Sequence, residues 1–168
     1  MFKNVVVLTG AGISAESGIK TFRDSNGLWE NHAIEDVASP EGFARNPALV
    51  LDFYNQRRRQ LFSDEVAPNL AHEALVRLEE KFPITIVTQN VDNLHERAGS
   101  SNIIHMHGEL AKMKCSRTGT KYAVEGDLVG KDRCQCCDQE GTLRPDIVWF
   151  GEMPYYMDRI LELLDTCD

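Results

Sequence analysis

The sequence predicts an α/β protein in which a parallel sheet carries helices on both faces and a small cysteine-containing lobe is inserted. Apolar runs with strand character alternate with segments of helical periodicity, and this alternation is typical of parallel sheets. A polar, cysteine-rich stretch interrupts the alternation in the second half of the chain. We therefore expect a sheet domain over residues 1–112 and 143–168, and the small lobe over residues 113–142.

Local patterns predict the individual elements. Short apolar runs rich in β-branched residues predict three buried strands, at Val5–Leu8, Ile84–Thr88 and Ile103–Met106. Apolar periodicity predicts three helices, at Pro47–Phe62, Pro68–Lys81 and Tyr155–Leu164. The polar stretch Lys20–Trp29 is predicted to be a loop, and Leu143–Glu152 an extended apolar segment. His72 lies off the apolar stripe of its helix, so we expect it at the surface.

Composition narrows the class of protein. With 168 residues, 42% of them hydrophobic and 26% charged, the chain can bury one core and a small appended lobe. The net charge of −8 argues against nucleic acid as a partner. No apolar run approaches the roughly 18 residues that a membrane helix requires, and the N-terminus lacks the pattern of a signal peptide. We expect a cytoplasmic protein without membrane partners.

A glycine-rich turn follows the first strand. The segment Gly10-Ala11-Gly12-Ile13-Ser14-Ala15 fits the G-x-G-x-x-G/A pattern of dinucleotide-binding turns, and a short helix is predicted to start near Ile13. The backbone N–H groups of such a turn can bind a diphosphate. An ordinary glycine-rich connection between a strand and a helix has the same pattern, so this motif alone leaves the function open.

Polar residues at the ends of the second and third strands form a second group of candidates. Open α/β sheets bind ligands at the carboxyl ends of their strands, which makes Asn90 and Asp92 candidates to hold a ribose or a carboxamide. Capping of the next helix by Asp92 or Asn93 is the alternative. His107 follows the third strand and precedes a glycine, so it is the candidate general base, whereas His105 is predicted to be structural.

Two arginines are candidates to bind an anion. Tyr54 and Arg57 are three residues apart on one face of a predicted helix, where a phenol beside a guanidinium can clamp an anionic group. The alternative is a solvated pair in a basic surface patch with Arg58 and Arg59. Arg23, in the predicted loop, can meet a phosphate or a carboxylate, and a solvated arginine is again the alternative.

The lobe contains a cysteine cluster. Cys134 and Cys137 have C-x-x-C spacing and Cys115 lies upstream, which in a cytoplasmic protein favours metal binding over disulfides. A structural zinc site needs four ligands, but the position where a partner of Cys115 is expected is Thr118. Either Cys136 takes the fourth place or the lobe binds no metal.

Taken together, the motifs resemble the sirtuins, the family of NAD-dependent protein-lysine deacylases. Five blocks carry the resemblance, in family order along the chain: Gly10-Ala11-Gly12-Ile13-Ser14, Thr21-Phe22-Arg23, Thr88-Gln89-Asn90-Val91-Asp92, His107-Gly108 and Val148-Trp149-Phe150-Gly151-Glu152. The pair of Tyr54 and Arg57 further resembles the class III branch, which removes succinyl and malonyl groups and whose bacterial members also accept acetyl-lysine.

The resemblance implies a Rossmann-like domain, a small zinc-ribbon-like domain, and a cleft between them where NAD and acyl-lysine meet. It assigns the NAD contacts to Gly10, Ala11, Gly12, Ile13, Glu16, Phe22, Arg23, Trp29, Gln89, Asn90 and Asp92. It assigns the acyl carboxylate to Tyr54 and Arg57, the peptide backbone to Val148, Trp149 and Phe150, catalysis to His107, and zinc to Cys115, Cys134 and Cys137.

The resemblance also implies a mechanism. The acyl oxygen attacks C1′ of the nicotinamide ribose, nicotinamide leaves, and His107 then acts as general base toward a ribose hydroxyl. Free lysine and O-acyl-ADP-ribose are the products, the partners are acylated protein lysines, and a monomer is expected. The family pattern continues beyond Asp168, so we expect the chain to be part of a longer protein. A nicotinamide-dependent oxidoreductase and a binding module without turnover are the alternatives.

Overall fold

The computed structural model of the 168-residue chain describes residues 4–19, 31–124 and 126–168, and the backbone of residues 28–29. The described strands, numbered in chain order, are β1 (Val5–Thr9), β2 (Leu28–Trp29), β3 (His32–Ala33), β4 (Ile84–Thr88), β5 (Ile103–His105), β6 (Gly108–Cys115), β7 (Lys121–Ala123) and β8 (Leu143–Ile147). The described α-helices are α1 (Ile34–Val37), α2 (Pro40–Arg45), α3 (Pro47–Leu61), α4 (Leu70–Glu79), α5 (Leu94–Ala98) and α6 (Met157–Thr166).

One three-stranded sheet is parallel throughout, with the strand order β1-β4-β5. Val5 pairs with Ile84 at one end of β1, and Ile86 pairs with Ile103 on the other side of β4. All five residues of β4 are buried, as expected of a central parallel strand. The three predicted strands are therefore present in the predicted parallel sheet.

The prediction that β1 is a buried strand is wrong in one respect, because Leu8 is 64% exposed. Within the described residues β1 pairs only with β4 and is an edge strand, so its cover is incomplete. The apolar run predicts the strand correctly, but a run of side chains carries no information on which of them the neighbouring elements cover.

A second three-stranded sheet is antiparallel, with the order β7-β6-β8. Its central strand, β6, begins at Gly108, and its pairing with β8 is irregular between Glu109 and Met113. The strand continues to Cys115, so this sheet carries the first cysteine of the cluster. β6 continues without a break through position 113, where the predicted lobe begins. The predicted domain boundaries therefore stay a prediction.

The main core lies between α3 and the ends of β6 and β8. Its largest fully buried side chains are Phe53, Tyr54, Leu61, Leu94 and Trp149. α3 begins where predicted because Asn46 caps it, with its Oδ1 accepting the Leu49 N–H at 3.1 Å, and because Pro47 suits the first helical position. This core fixes the helix that carries two of the predicted substrate-binding residues.

The predicted helices are present with shifted ends. α3 stops one residue before the predicted end, at Leu61, and α6 is displaced two residues toward the C-terminus. α4 begins at Leu70 because the residue before it, Asn69, caps the helix. Among the described helices, none combines the length and the apolar character that a membrane crossing requires.

His72 is buried, so the prediction of a surface histidine is wrong. Its relative exposure is 0%, and its ring centroid lies 5.0 Å from that of His95. The Asn69 backbone N–H donates to Nδ1 of His72 at 3.3 Å, which completes a capping box at the start of α4. Because α5 packs against α4, a position off the apolar stripe is covered by a tertiary contact.

Candidate functional site

The glycine-rich turn after β1 forms a short 3-10 helix from Ala11 to Ser17, bounded by Gly10 and Gly18. We call residues 10–18 the glycine loop. The helix starts two residues before the predicted position and is tighter than an α-helix. A Cβ added to Gly10 or Gly12 would meet no described atom within 4 Å, so none of the described residues blocks the approach of a ligand to the backbone here. Gly18, by contrast, has φ +86, the left-handed conformation that ends the helix.

Side chains from the end of β4 hold the glycine loop in place. Asn90 Nδ2 donates to the carbonyl oxygen of Gly10 and to Ser14 Oγ, both at 3.1 Å. Ser14 Oγ in turn donates to Asp92 Oδ2 at 2.9 Å, and all three of these side chains are buried. Asp92 Oδ1 also accepts the Leu94 N–H at 3.1 Å, so the capping alternative and the loop contact hold at the same time. Sequence reasoning missed Ser14 as a link between these groups.

His107 lies at the same end of the sheet, directly before β6. Its Nδ1 is 3.0 Å from the carbonyl oxygen of Gln89. A carbonyl only accepts, so Nδ1 carries a proton, and in the neutral imidazole Nε2 then has the lone pair that a general base requires. The next residue, Gly108, has φ +82, and a Cβ there would lie 1.9 Å from the Asp146 carbonyl oxygen. Only glycine permits this approach of β6 to β8, which brings His107 beside the segment after β8.

The segment after β8 contains the predicted peptide-binding residues. β8 ends at Ile147, so the predicted extended segment is strand only in its first half, and residues 148–150 follow the strand. The Val148 N–H donates to the carbonyl oxygen of His107 at 2.9 Å, and the Phe150 N–H donates to that of Ala38 at 3.0 Å. Backbone hydrogen bonds therefore hold this segment at both ends. Phe150 is 60% exposed, whereas Trp149, which lies between Val148 and Phe150, is 2% exposed.

Trp149 is enclosed by polar contacts that sequence reasoning missed. The guanidinium carbon of Arg144 lies 3.3 Å from the centroid of its ring, and Arg144 donates to both carboxylate oxygens of Glu152, at 2.7 and 2.9 Å. Glu152 Oε2 also accepts the Trp149 backbone N–H at 2.8 Å. Burial alone would raise the pKa of Glu152, but these hydrogen bonds outweigh it and the pKa is lowered. The sequence contained one signal for this ion pair. Arg144 and Glu152 lie near the two ends of an apolar segment, and charged residues at buried positions are nearly always paired with an opposite charge.

Tyr54 lies on the face of α3 that contacts this segment, and Arg57 follows three residues later on the helix. Tyr54 is fully buried, and its hydroxyl accepts a hydrogen bond from Trp149 Nε1 at 2.9 Å. Burial raises the pKa of the Tyr54 hydroxyl above its ordinary value, so the phenol is neutral. Arg57 is half-buried, with its guanidinium carbon 4.7 Å from the centroid of the Phe53 ring. The alternative of a solvated surface pair is therefore wrong for Tyr54.

The alternative to an anion clamp was a basic surface patch that includes Arg58 and Arg59. These two arginines differ in their exposure and in their contacts. Arg58 is 3% exposed and donates to the carbonyl oxygen of Leu110 at 2.8 Å and to Asn55 Oδ1 at 2.8 Å. Its role is to join α3 to β6. Arg59 has a side chain that is 60% exposed, and it faces Asp52 and Asp127 at distances of 3.8 and 3.6 Å. Only Arg59 behaves as an ordinary surface arginine.

The four cysteines of the lobe come together. The Sγ atoms of Cys115, Cys134, Cys136 and Cys137 all lie within 4.8 Å of one another, and none forms a disulfide. Cys115 and Cys137 are 3.8 Å apart, and Cys134 and Cys136 are 3.2 Å apart. Four sulfurs at the usual zinc–sulfur distance of about 2.3 Å are about 3.8 Å apart in a tetrahedron, so the cluster fits zinc in size and in ligand type. Thr118 instead lies 3.0 Å from Cys136 Sγ through its hydroxyl.

Comparison with known protein families decides the classification. The Sir2 family pattern matches residues 10–168. The chain belongs to the Sir2 family. An NAD-dependent protein deacylase of Pasteurella multocida (strain Pm70) is 63% identical over 166 residues, which cover 98% of this chain and 71% of that protein. An NAD-dependent protein deacylase of Leishmania major is 63% identical over 169 residues, which cover 98% of this chain and 70% of that protein.

Solved Sir2 structures share the fold. A Sir2 homologue in complex with NAD is 41% identical, with a TM-score of 0.86 over 99% of this chain and 66% of that chain. A mutant Sir2 homologue with ADP-ribose is 40% identical, with a TM-score of 0.88 over 99% of this chain and 68% of that chain. A Sir2 protein with an inhibitor, 2′-O-acetyl-ADP-ribose and a deacetylated p53 peptide is 33% identical, with a TM-score of 0.76 over 99% of this chain and 67% of that chain. The predicted family and the predicted Rossmann-like α/β fold with a cysteine lobe are confirmed.

Some of the residues that the Sir2 resemblance assigns to NAD cannot be placed in this site. Phe22 and Arg23 lie outside the described residues, as does the side chain of Trp29. Glu16 is exposed on the 3-10 helix of the glycine loop. The described residues that the resemblance assigns to NAD are therefore those of the glycine loop and those that follow β4.

Proposed function

We propose that this Sir2 protein removes acyl groups from protein lysines with consumption of NAD, and that it accepts acetyl, succinyl and malonyl groups. The products are nicotinamide, O-acyl-ADP-ribose and free lysine. The observation that carries the proposal is the hydrogen bond of His107 Nδ1 to the Gln89 carbonyl, because in the neutral imidazole it makes Nε2 the basic nitrogen, at the same sheet edge as the glycine loop. The relatives named NAD-dependent protein deacylases, at 63% identity, support the same reaction.

The proposed NAD site is the edge of the parallel sheet where β1 and β4 end. NAD supplies the ribose carbon that the acyl oxygen attacks as nicotinamide leaves. Gly10, Ala11, Gly12 and Ile13 present backbone to the diphosphate, and the absence of described atoms within 4 Å of a Cβ at either glycine supports this role. Gln89, Asn90 and Asp92 orient the ribose and nicotinamide, and Glu16, Phe22, Arg23 and Trp29 complete the set of contacts. Ordering of the ribose accelerates the reaction by holding the reacting atoms in one geometry.

His107 is the proposed catalytic residue. Its Nε2 takes a proton from a ribose hydroxyl, and that oxygen then adds to the carbon of the acyl group. One water molecule adds to the same carbon, the bond from this carbon to the lysine nitrogen breaks, and free lysine and O-acyl-ADP-ribose are released. The bond to the Gln89 carbonyl holds the imidazole ring in one orientation and one tautomer. His107 is half-buried, so part of its surface is accessible to a ligand.

Tyr54 and Arg57 are the proposed determinants of acyl specificity. A succinyl or malonyl group ends in a carboxylate, which a guanidinium and a phenol can bind through charge-assisted hydrogen bonds. Partial burial of Arg57 supports the proposal, because such bonds are stronger where water is excluded. Phe53 beneath the guanidinium limits the positions that Arg57 can take.

The proposed peptide-binding segment is Val148, Trp149 and Phe150. An extended peptide can add to such a segment through main-chain hydrogen bonds, in the mode of strand addition. The buried Trp149 anchors the segment, and acylated lysines of proteins are the partners. From composition we further propose a cytoplasmic monomer without nucleic acid or membrane partners.

Cys115, Cys134, Cys136 and Cys137 would hold a structural zinc ion. The ion would stabilise the lobe by cross-linking the end of β6 to residues 134–137, and none of the steps above uses it.

The function is tested by incubating the protein with NAD and an acetyl-lysine or succinyl-lysine peptide. We expect release of nicotinamide that depends on the peptide, with O-acyl-ADP-ribose identified by mass spectrometry. Formation of NADH without peptide would contradict the proposal and indicate an oxidoreductase. Calorimetric binding of peptide and NAD without any product would indicate a binding module instead.

A further inference from the structure

Asn69 contacts two different parts of the molecule with the two ends of its side-chain amide. Its Oδ1 accepts the Ala71 N–H at 2.9 Å and caps α4. Its Nδ2 points to the glycine loop, where it donates to the carbonyl oxygen of Ile13 at 2.7 Å and to Ser17 Oγ at 2.9 Å. A cap alone needs only the oxygen. The two donated bonds therefore serve the loop and not the helix.

These bonds support the glycine loop from a second side. Asn90 holds the loop at Gly10 and Ser14, close to the end of β4. Asn69 holds it at Ile13 and Ser17, from the side of α4. A 3-10 helix of seven residues has poor internal geometry, so its direction depends on such tethers. Ser17 is 5% exposed, which means that water does not replace the Asn69 contact easily.

We propose that Asn69 is a positioning residue for the NAD site, acting through the carbonyl of Ile13 and the hydroxyl of Ser17. The proposal rests on the proposed function, because it takes the glycine loop as the place where NAD binds. Asn69 itself touches no reacting group in this arrangement. Its loss should weaken NAD binding while the acyl-lysine site and the general base stay as they are.

Two substitutions separate the tether from the cap. Asn69→Asp keeps an oxygen for the Ala71 N–H, since aspartate caps helices as well as asparagine does, but it has no N–H for Ile13 or Ser17. Asn69→Ser also keeps a good cap and adds no charge, but its side chain is too short to reach the loop. The matched control is Asn46→Asp, because Asn46 caps α3 in the same way and makes no described contact with the glycine loop.

The experiment measures kcat, the KM for NAD and for an acyl-lysine peptide, the Kd of NAD by calorimetry, and Tm for each variant. We expect both Asn69 variants to raise the KM and Kd for NAD about tenfold, the factor that corresponds to the loss of a hydrogen bond. The peptide KM should stay close to that of the parent protein, and Tm should fall by only about 2–8 °C. Asn46→Asp should leave every value unchanged.

The outcomes distinguish this inference from the function itself. Unchanged NAD binding in both Asn69 variants would overturn the positioning role. A large fall in Tm together with a lower kcat and a higher KM for both substrates would also overturn it, because that pattern indicates a purely structural residue. If the parent protein binds NAD but releases no nicotinamide, the proposed function fails, and the calorimetric Kd of NAD still decides the role of Asn69.

Discussion

The hydroxyl oxygen of Tyr54 accepts a 2.9 Å hydrogen bond from Nε1 of Trp149, a residue 95 positions later in the chain. Both side chains are buried, and their ring centroids lie 6.4 Å apart. One partner belongs to the helix proposed to bind the acyl group and the other to the segment proposed to bind the peptide. The two halves of the proposed substrate site are therefore joined by a buried contact.

This coupling predicts a cost in stability for Tyr54→Phe. The change removes the acceptor of a buried indole N–H, and we expect the free energy of unfolding to fall by about 1–3 kcal/mol. Urea denaturation followed by Trp fluorescence measures it. Trp149→Phe should have a cost of its own, and the double variant should lose less than the sum of the two. Strict additivity would show that the two side chains do not interact.

Arg57→Ala should change acyl specificity. Loss of a charge-assisted hydrogen bond costs about 1.5–3 kcal/mol, so kcat/KM for a succinyl-lysine peptide should fall by about tenfold to a hundredfold. The value for the acetyl-lysine peptide should change little. Arg59→Ala removes the same charge from an exposed neighbour and is the control. An equal loss on both substrates would exclude a carboxylate clamp.

His107→Tyr should abolish turnover. Removal of a general base typically lowers kcat by about a hundredfold to ten-thousandfold. Circular dichroism and Tm should remain those of a folded protein, because His107 is only half-buried. Activity that survives the substitution would remove His107 from the mechanism.

Zinc content tests the cysteine cluster. We expect about one zinc ion per chain by atomic emission, and a lower Tm after treatment with a chelator. Cys136→Ser should lower the zinc content, because Cys136 supplies the fourth sulfur of the cluster. Cys167→Ser alters a cysteine outside the cluster and should retain the metal. Full zinc content in the Cys136 variant would show that another group completes the site.

The buried histidine pair predicts a loss of stability in acid. Burial lowers the pKa of His72 below its ordinary value, and burial together with the neighbouring His72 lowers the pKa of His95. Below the ordinary histidine pKa of about 6.5, the unfolded chain therefore binds more protons than the folded chain. The stabilising contribution is present above that pH and is lost as pH falls. His72→Gln should flatten the decline of Tm between about pH 7 and pH 5.

His105 should affect the pH dependence of stability in the opposite direction, and it provides the comparison. Burial would lower its pKa, but the hydrogen bond to Glu96, 2.6 Å from His105 Nε2, and the charge of Glu96 outweigh burial and raise it. The contribution of His105 is fully present below about pH 6.5 and is lost as pH rises through the folded pKa. His105→Gln should therefore destabilise most in mild acid and least in base. The same pH dependence in both variants would contradict these assignments.

Local patterns in the sequence determined much of the fold. The β-branched run Ile84–Thr88 is a strand with the predicted bounds, and α3 begins at Pro47 as predicted, because side-chain shape and helix capping act within a few residues. The glycine pattern, the polar residues after β4 and His107 likewise follow from residue types at strand ends. These features need no knowledge of distant contacts, and together they were sufficient to predict the family.

Only the tertiary structure decided which side chains are covered and which are paired. The burial of His72 depends on α5, the end of β8 at Ile147 depends on its pairing with β6, and the bond between Tyr54 and Trp149 joins residues far apart in the chain. Cys136 enters the cysteine cluster through the path of the lobe, although its spacing does not match the expected pattern. Periodicity and spacing describe neighbours along the chain, whereas burial and hydrogen bonding depend on the packing of separate elements.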